Sequence, residues 1–250
     1  MREGGLDMSE PIKSLINSIV DLIFPPQCLL CGDLDSSGLC RTCRKSFQPL
    51  RPPLCSVCSA PVETSEAAPL CARCSDFHPA YDRAWSLFIY DGAIRKAIHD
   101  FKYHGVSGLH RVFGELLHER LTVEMAGISI DSVVPVPLHR ARELSRGYNQ
   151  AALLARSLAS LLSLPVMESE LLRVRHTDFL ADLGRRDRFA SLEGAFAISE
   201  KTRLEGKKIL LVDDIMTTGA TFHICAGVLR EGGASCIYGI TLARTVVYDA

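Results

Sequence analysis

No stretch of the chain approaches the roughly 18 consecutive apolar residues needed to span a bilayer, and the first apolar stretch is interrupted by Lys13 and Asp21. A secretory leader is not expected either. The opening MREGGLDMSE carries two glutamates and an aspartate, where such a leader has positive charge and then a clean apolar core. A cytosolic chain with reduced thiols is therefore the expectation. Net charge is nearly absent, −1 from 28 Lys and Arg against 29 Asp and Glu, so a field over the whole molecule cannot recruit bulk duplex nucleic acid and any anion site must be built locally. The pattern Gly-x-x-x-x-Gly-Lys-Ser/Thr is missing, which argues against a P-loop nucleotidase. No low-complexity segment occurs, and a composition of 47% hydrophobic and 23% charged residues excludes disorder as the main state.

Cysteine is unevenly placed. Eight of the ten lie between Cys28 and Cys74, all as Cys-x-x-Cys pairs: Cys28/Cys31, Cys40/Cys43, Cys55/Cys58 and Cys71/Cys74. A tight turn lets each pair chelate one metal while backbone amides stabilise the thiolates, and zinc prefers four such sulfurs. Eight thiolates make two tetrahedral sites with no open position, so two structural zinc ions are expected. The order predicts sequential ribbons, Cys28/Cys31/Cys40/Cys43 and Cys55/Cys58/Cys71/Cys74, with cross-braced pairing as the alternative. Cys225 and Cys236, with Trp85 and His223, fall inside helix and strand patterns and read as packing residues.

Apolar positions at near-helical spacing predict a helix over Pro11–Phe24, stopped by Pro25-Pro26. Three units are expected: an N-terminal helix at 1–26, a double zinc ribbon at 27–76, and an α/β domain at 80–250. In the last, RAWSLFIY reads as a strand, Ala93–His104 as a helix, DSVVPVP as a strand and Ser145–Leu162 as a long helix. LPVMES, LLRVR, GAFAI, KKILLV and CIYGITLA read as further strands. Strands alternating with helices imply a mostly parallel sheet covered on both faces.

Ile209–Val212 is an apolar run without alternation, as in a parallel strand buried on both faces, and Asp213 and Asp214 follow at its carboxyl end. Ligands bind at that edge of open α/β sheets. Then comes Thr217-Thr218-Gly219-Ala220-Thr221 before a helix: small residues let backbone N–H groups turn toward one anion, hydroxyls add donors, and the helix start adds its positive dipole end. Acids beside a phosphate cradle would repel a simple anion. They suit a ligand that also presents a diol and a divalent cation, and ribose 5-phosphate does.

ILLVDDIMTTGAT resembles the signature for 5-phosphoribosyl-1-pyrophosphate (PRPP) of type I phosphoribosyltransferases. Nearly the whole chain resembles the ComF family of competence-associated proteins, through the Cys-x-x-Cys module, YDGAIRKAIHDFKYHG, VVPVPLHRARELSRGYNQ and the loop itself. The resemblance implies a type I phosphoribosyltransferase fold in which Asp213 and Asp214 hold the ribose hydroxyls and act in catalysis, while Thr217, Thr218, Gly219, Ala220 and Thr221 hold the 5-phosphate. It places a pyrophosphate contact in the basic turn after Val134–Pro137, with Arg146 ahead of Arg140 and Arg142. It favours Tyr90 before the Ala93–His104 helix and Arg95 and Lys102 on it, Lys102 toward pyrophosphate; a solvated face would explain Arg95, His99 and Lys102 equally well. Arg173–Arg188 is expected to be a lid, and the chain departs from the family at Leu180 within it and at Ser191 after Arg188, where relatives tend to carry glutamine and asparagine.

Two functions follow from the resemblance. One is phosphoribosyl transfer from Mg²⁺-bound PRPP with release of pyrophosphate, the acceptor pocket coming from residues 80–130 or the zinc module. The other is a non-catalytic PRPP-sensing adaptor in DNA uptake or DNA utilisation, meeting single-stranded DNA or a helicase-type partner. Residues 28–75 offer only Phe47 as an aromatic, which favours a protein partner for the ribbons over direct contact with bases.

Overall fold

The computed structural model describes residues 25–35, 37–64, 67–177, 185–199 and 203–246; the helix expected over Pro11–Phe24 and the position of Leu180 lie outside them. Its centre is a four-stranded sheet of β1 (Arg83–Ile89), β2 (Ser132–Pro135), β5 (Lys208–Met216) and β6 (Cys236–Arg244), in the order β1-β6-β5-β2 and parallel throughout. Ile209–Val212 is fully buried because the pleat sends alternate residues to two separate cores. Leu210 and Val212 meet α3 (Gly92–Tyr103), α4 (Leu109–Glu124) and α6 (Gln150–Leu162) through Ile98, Phe101, Phe113, Leu117 and Leu154. Ile209 and Leu211 meet Phe222, Cys225 and Leu229 of α8 (Ala220–Glu231), with Phe196 and Leu171 beside them. A strand covered on both faces has no use for polar alternation.

Local chemistry sets the helix limits. The stretch Ser145–Leu162 is not one helix: α5 (Arg140–Arg146) ends at Gly147, which adopts a left-handed φ of 89°, and α6 restarts with the Asn149 side chain accepting from the Ala151 N–H at 3.0 Å. A glycine C-cap followed two residues later by an asparagine N-cap outweighs helical periodicity there. Helix α4 is not among the expected elements, and its apolar residues pack into the same core as α3. LPVMES contributes only a single parallel bridge, Val166 to Val133. LLRVR and GAFAI supply β3 (Leu171–Arg173) and β4 (Phe196–Ile198), an antiparallel pair outside the main sheet. Short α1 (Arg41–Lys45) and α2 (Ala72–Asp76) lie in the cysteine-rich segment, and α7 (Arg185–Leu192) precedes β4.

That segment covers the edge of the sheet. Ile89 donates its N–H to the Gln48 carbonyl and Leu50 donates to Leu87, both at 2.9 Å, so residues 48–50 satisfy the otherwise open side of β1. Phe47 packs edge-on against Phe88, with ring centroids 5.3 Å apart. Trp85, Cys225 and His223 are packing residues as expected: the first two are fully buried, and the His223 Nδ1 accepts from the Ala80 N–H at 3.0 Å. Cys236 is half-buried at the start of β6.

Helices α4 and α6 approach closely at Gly114, where an added Cβ would lie 2.5 Å from the Ser157 Cβ. Gly114→Ala is therefore expected to destabilise by about 1–3 kcal/mol in urea denaturation. Adding Ser157→Gly should return part of that loss, because it removes the atom that is struck.

Candidate functional site

At the carboxyl end of β5 the side chains change from apolar to acidic without a change in backbone. Asp214 is 3% exposed, and its Oδ1 pairs with the Lys102 Nζ of α3 at 2.9 Å. Its second oxygen, Oδ2, is buried with no hydrogen-bond partner among the described residues. A buried acceptor of that kind is costly to leave unmade, so it suits a donor brought by a ligand, a sugar hydroxyl or a metal-bound water. Asp213 is half-buried beside it. Burial first, and then the Asp214 charge, push its carboxyl up to about 7, while Lys102 acts the other way. Burial pulls on the Lys102 ammonium, but the attraction of Asp214 and Asp213 outweighs it and holds its pKa above the usual value.

The following turn is tight and opens directly into a helix. Gly219 takes a left-handed φ of 79° and is the N-cap of α8, and the Ala220 N–H points to the Thr218 Oγ1 at 3.4 Å. Thr217 and Thr221 line a cleft of about 630 Å³ together with Asp213 and Asp214. Other elements send cations into the same cleft: Arg95 and Lys102 from α3, Arg142 and Arg146 from α5, and Arg173 from β3. A basic lining of this kind concentrates an anion that the chain as a whole, with a net charge of −1, would not attract. The residues expected from the sequence thus converge on one place. Arg95, Lys102, Arg146, Asp213, Asp214 and Tyr90 all line the cleft, while Thr218, Gly219 and Ala220 form the back of the turn between Thr217 and Thr221.

Packing aims these cations. The Arg146 guanidinium lies 4.8 Å from the centroid of Tyr103 and donates to the Gln150 Oε1. Arg142 donates to the Thr177 carbonyl at 2.8 Å. Arg173, expected only as one end of a lid, sits in the cleft wall with its guanidinium 5.3 Å over the Phe196 ring and its Nε buried without a partner among the described residues. Burial lowers its pKa from the ordinary arginine value. The strand pattern of LLRVR, which places an arginine between apolar residues, is the signal that could have found it. Near the cleft mouth, His99, Asp100 and His104 cluster as a metal site would. Lys96 already holds Asp100 at 2.7 Å, and Arg95 and Lys102 add positive charge on the same helix, a poor setting for a cation.

The cysteines form two groups, Cys28/Cys31/Cys40/Cys43 and Cys55/Cys58/Cys71/Cys74, sequential and not cross-braced. The Cys31 and Cys40 sulfurs are 3.6 Å apart, and Cys58 and Cys71 are 3.7 Å apart. Four sulfurs about 2.3 Å from one tetrahedral ion would be separated by roughly 3.8 Å, so both groups fit structural zinc.

A parallel sheet with an acidic pair and a glycine turn at its strand ends, flanked by helices and preceded by two four-cysteine sites, defines an α/β protein with an N-terminal double ribbon. Residues 19–75 match the family model described as a double zinc ribbon domain. The chain is 30% identical to Competence protein F of Haemophilus influenzae over 225 residues, 87% of this chain and 96% of that protein. It is 30% identical to the DNA utilization protein YhgH of Escherichia coli K12 over 234 residues, 90% of this chain and all of that protein. The chain belongs to the ComF family. Among solved structures, the glutamine PRPP amidotransferase of B. subtilis aligns at a TM-score of 0.39 and 18% identity, over 56% of this chain and 30% of its own length. Adenine phosphoribosyltransferase of Saccharomyces cerevisiae aligns at 0.37 and 16%, over 53% of this chain and 67% of its own.

Two outcomes follow from the buried charges. Lys102→Met leaves Asp214 without its counter-charge and should cost about 3 kcal/mol in chemical denaturation, part of which Asp214→Asn on the same chain restores. With Asp213 at about 7 in the folded protein and near 3.9 in the unfolded chain, the folded state holds the extra proton between those values. Stability therefore falls as pH rises through that window and levels off above it, and Asp213→Asn should flatten the fall in denaturant titrations at successive pH values.

Proposed function

We propose that the cleft binds PRPP and transfers its phosphoribosyl group to a nitrogen acceptor with release of pyrophosphate, in a process of DNA uptake or DNA utilisation. The observation that carries this reading is the orphaned Asp214 Oδ2 beside Asp213, set between a phosphate-type turn and a basic wall. Thr217–Thr221 receives the 5-phosphate, whose charge the N-terminus of α8 favours. Asp213 and Asp214 accept from the ribose hydroxyls. Arg146, Arg142, Arg173 and Lys102 face the pyrophosphate. When the bond from the anomeric carbon to pyrophosphate breaks, the sugar gains oxocarbenium character and the electron pair leaves with the pyrophosphate oxygen. Cations already held by Tyr103, Gln150 and Phe196 stabilise that departing charge without reorganising. Mg²⁺ carried with PRPP would further neutralise the pyrophosphate, and Asp213 and Asp214 offer the hard oxygen donors it prefers.

The division of labour proposed is a ribbon module at 27–76, an N-terminal helix before it, and a phosphoribosyltransferase-like unit at 80–250, with zinc as the structural metal and the cytoplasm as the compartment. The names of the relatives, competence and DNA utilisation proteins, support the pathway. A second reading makes the protein a PRPP sensor that docks a DNA-processing partner through the ribbons, and the departures at Leu180 and Ser191 favour it. Phe47, the aromatic of residues 28–75, is 3% exposed, so its ring is not free to stack on bases. That supports a helicase-type protein partner over single-stranded DNA for this face.

Titration calorimetry with Mg²⁺ and PRPP should show binding to the wild type that Asp213→Asn/Asp214→Asn abolishes; wild-type protein that takes up no heat overturns the reading. The ionised Asp213 is the form that accepts from the diol, so affinity should rise as pH passes through about 7 and then level off, with a flatter profile in Asp213→Asn. Metal analysis of the purified chain should return about two zinc ions per molecule.

A further inference from the structure

The two four-cysteine sites look equivalent in sequence, but only the second touches the phosphate turn. Arg73 lies inside Cys71-x-x-Cys74, on α2, and its guanidinium donates to the carbonyls of Thr218 at 3.1 Å and Thr217 at 3.5 Å. In a planar trans peptide the C=O and the following N–H point in opposite directions. Drawing these two carbonyls toward the ribbon therefore turns the N–H groups of Thr218 and Gly219 away from it.

The other turn of the same site, Cys55-x-x-Cys58, is tied to the neighbouring strand end. Arg244, the last residue of β6 and 2% exposed, donates to the Cys58 carbonyl. Its neighbour Thr245 donates its N–H to the Met216 carbonyl at 3.0 Å, immediately before Thr217. Between these two ties stands Tyr81, a buried ring packed edge-on against Phe222 of α8 at 6.2 Å. A Cβ on Gly219 would lie 3.3 Å from its hydroxyl, so the turn rests closely on it. Among the described residues, the first ribbon reaches none of this. Arg44 beside it pairs with Glu119 of α4, the residues that follow, 48–50, pair with the β1 edge, and the second ribbon meets β1 as well, the Ala84 N–H donating to the Val57 carbonyl at 2.7 Å.

We propose that the second ribbon is part of the anion site: Arg73 and Arg244 are positioning residues that carry the geometry of the Cys55/Cys58/Cys71/Cys74 turns into the Thr217–Thr221 loop. The first ribbon is not coupled to the loop. Metal in the second group fixes the backbone on both sides of Arg73, so the orientation of the loop amides depends on that group and not on Cys28/Cys31/Cys40/Cys43. The proposal rests on the PRPP reading only for the identity of the ligand; the coupling itself concerns the loop.

The test uses the full-length, zinc-loaded chain carrying Arg73→Gln, Arg73→Lys or, as the control in the first ribbon, Arg44→Gln. Amide hydrogen exchange over Thr217–Thr221 should accelerate about tenfold or more in Arg73→Gln, the scale of one lost charge-assisted hydrogen bond. It should be partly restored in Arg73→Lys and unchanged in Arg44→Gln. Ribose 5-phosphate should bind Arg73→Gln about tenfold more weakly than wild type, while inorganic pyrophosphate, which faces the arginine wall, should bind within about twofold. Equal exchange in wild type and Arg73→Gln, or equal acceleration in Arg44→Gln, overturns the proposal. If wild type ignores ribose 5-phosphate while Arg73→Gln still loosens the loop, the PRPP reading falls and the coupling stands.

Discussion

Burial of β5 on both faces is the constraint from which the rest of the site follows. Ile209–Val212 has no exposed side, so no polar group can be placed along the strand without losing its hydration. The first carboxylates come at its carboxyl end, and even there Asp214 remains 3% exposed. A carboxylate at that depth needs a counter-charge, which Lys102 brings from α3, a helix anchored in the core by Ile98 and Phe101. The ion pair therefore joins two elements far apart in sequence at the point where the sheet opens into the cleft.

The same economy explains the cations. Arg146 stacks on Tyr103 and Arg173 lies over Phe196, so each of these two guanidinium groups is aimed by an aromatic face. Positive charge held by aromatic faces and carbonyls remains available to a ligand, whereas charge neutralised by carboxylates would not. Asp213 and Asp214 are the exception, and their placement beside the turn gives the cleft both signs of charge in adjacent regions.

The ribbons add a second layer to this arrangement. A short helix such as α2, five residues long, has little stability of its own, and thiolate ligands on either side of Arg73 substitute for the packing that a longer helix would have. The two groups share one chemistry but differ in their neighbours: Arg44 beside the first pairs with Glu119 of α4, while the second meets β1 through Val57 and the turn after β5 through Arg73.

Much of this is legible in the residues alone. The Cys-x-x-Cys pairs, the buried strand Ile209–Val212, the acids after it and the glycine turn are all short-range patterns, decided by the spacing of residues within about a dozen positions. The break at Gly147 is equally local, yet the helical periodicity on either side of it conceals the break. What the tertiary structure alone decided is which distant groups meet. Lys102 and Asp214 are partners because α3 packs on the face of the sheet that takes Leu210 and Val212. Arg173 turns from an apparent lid residue into a wall of the cleft because β3 pairs with β4 beside α8. Arg73 reaches the phosphate turn because the second ribbon, and not the first, folds against the carboxyl ends of β5 and β6. Sequence periodicity records which face of an element is buried, but burial is satisfied by any apolar partner, so the pairing of charges across elements is set only when the whole core closes.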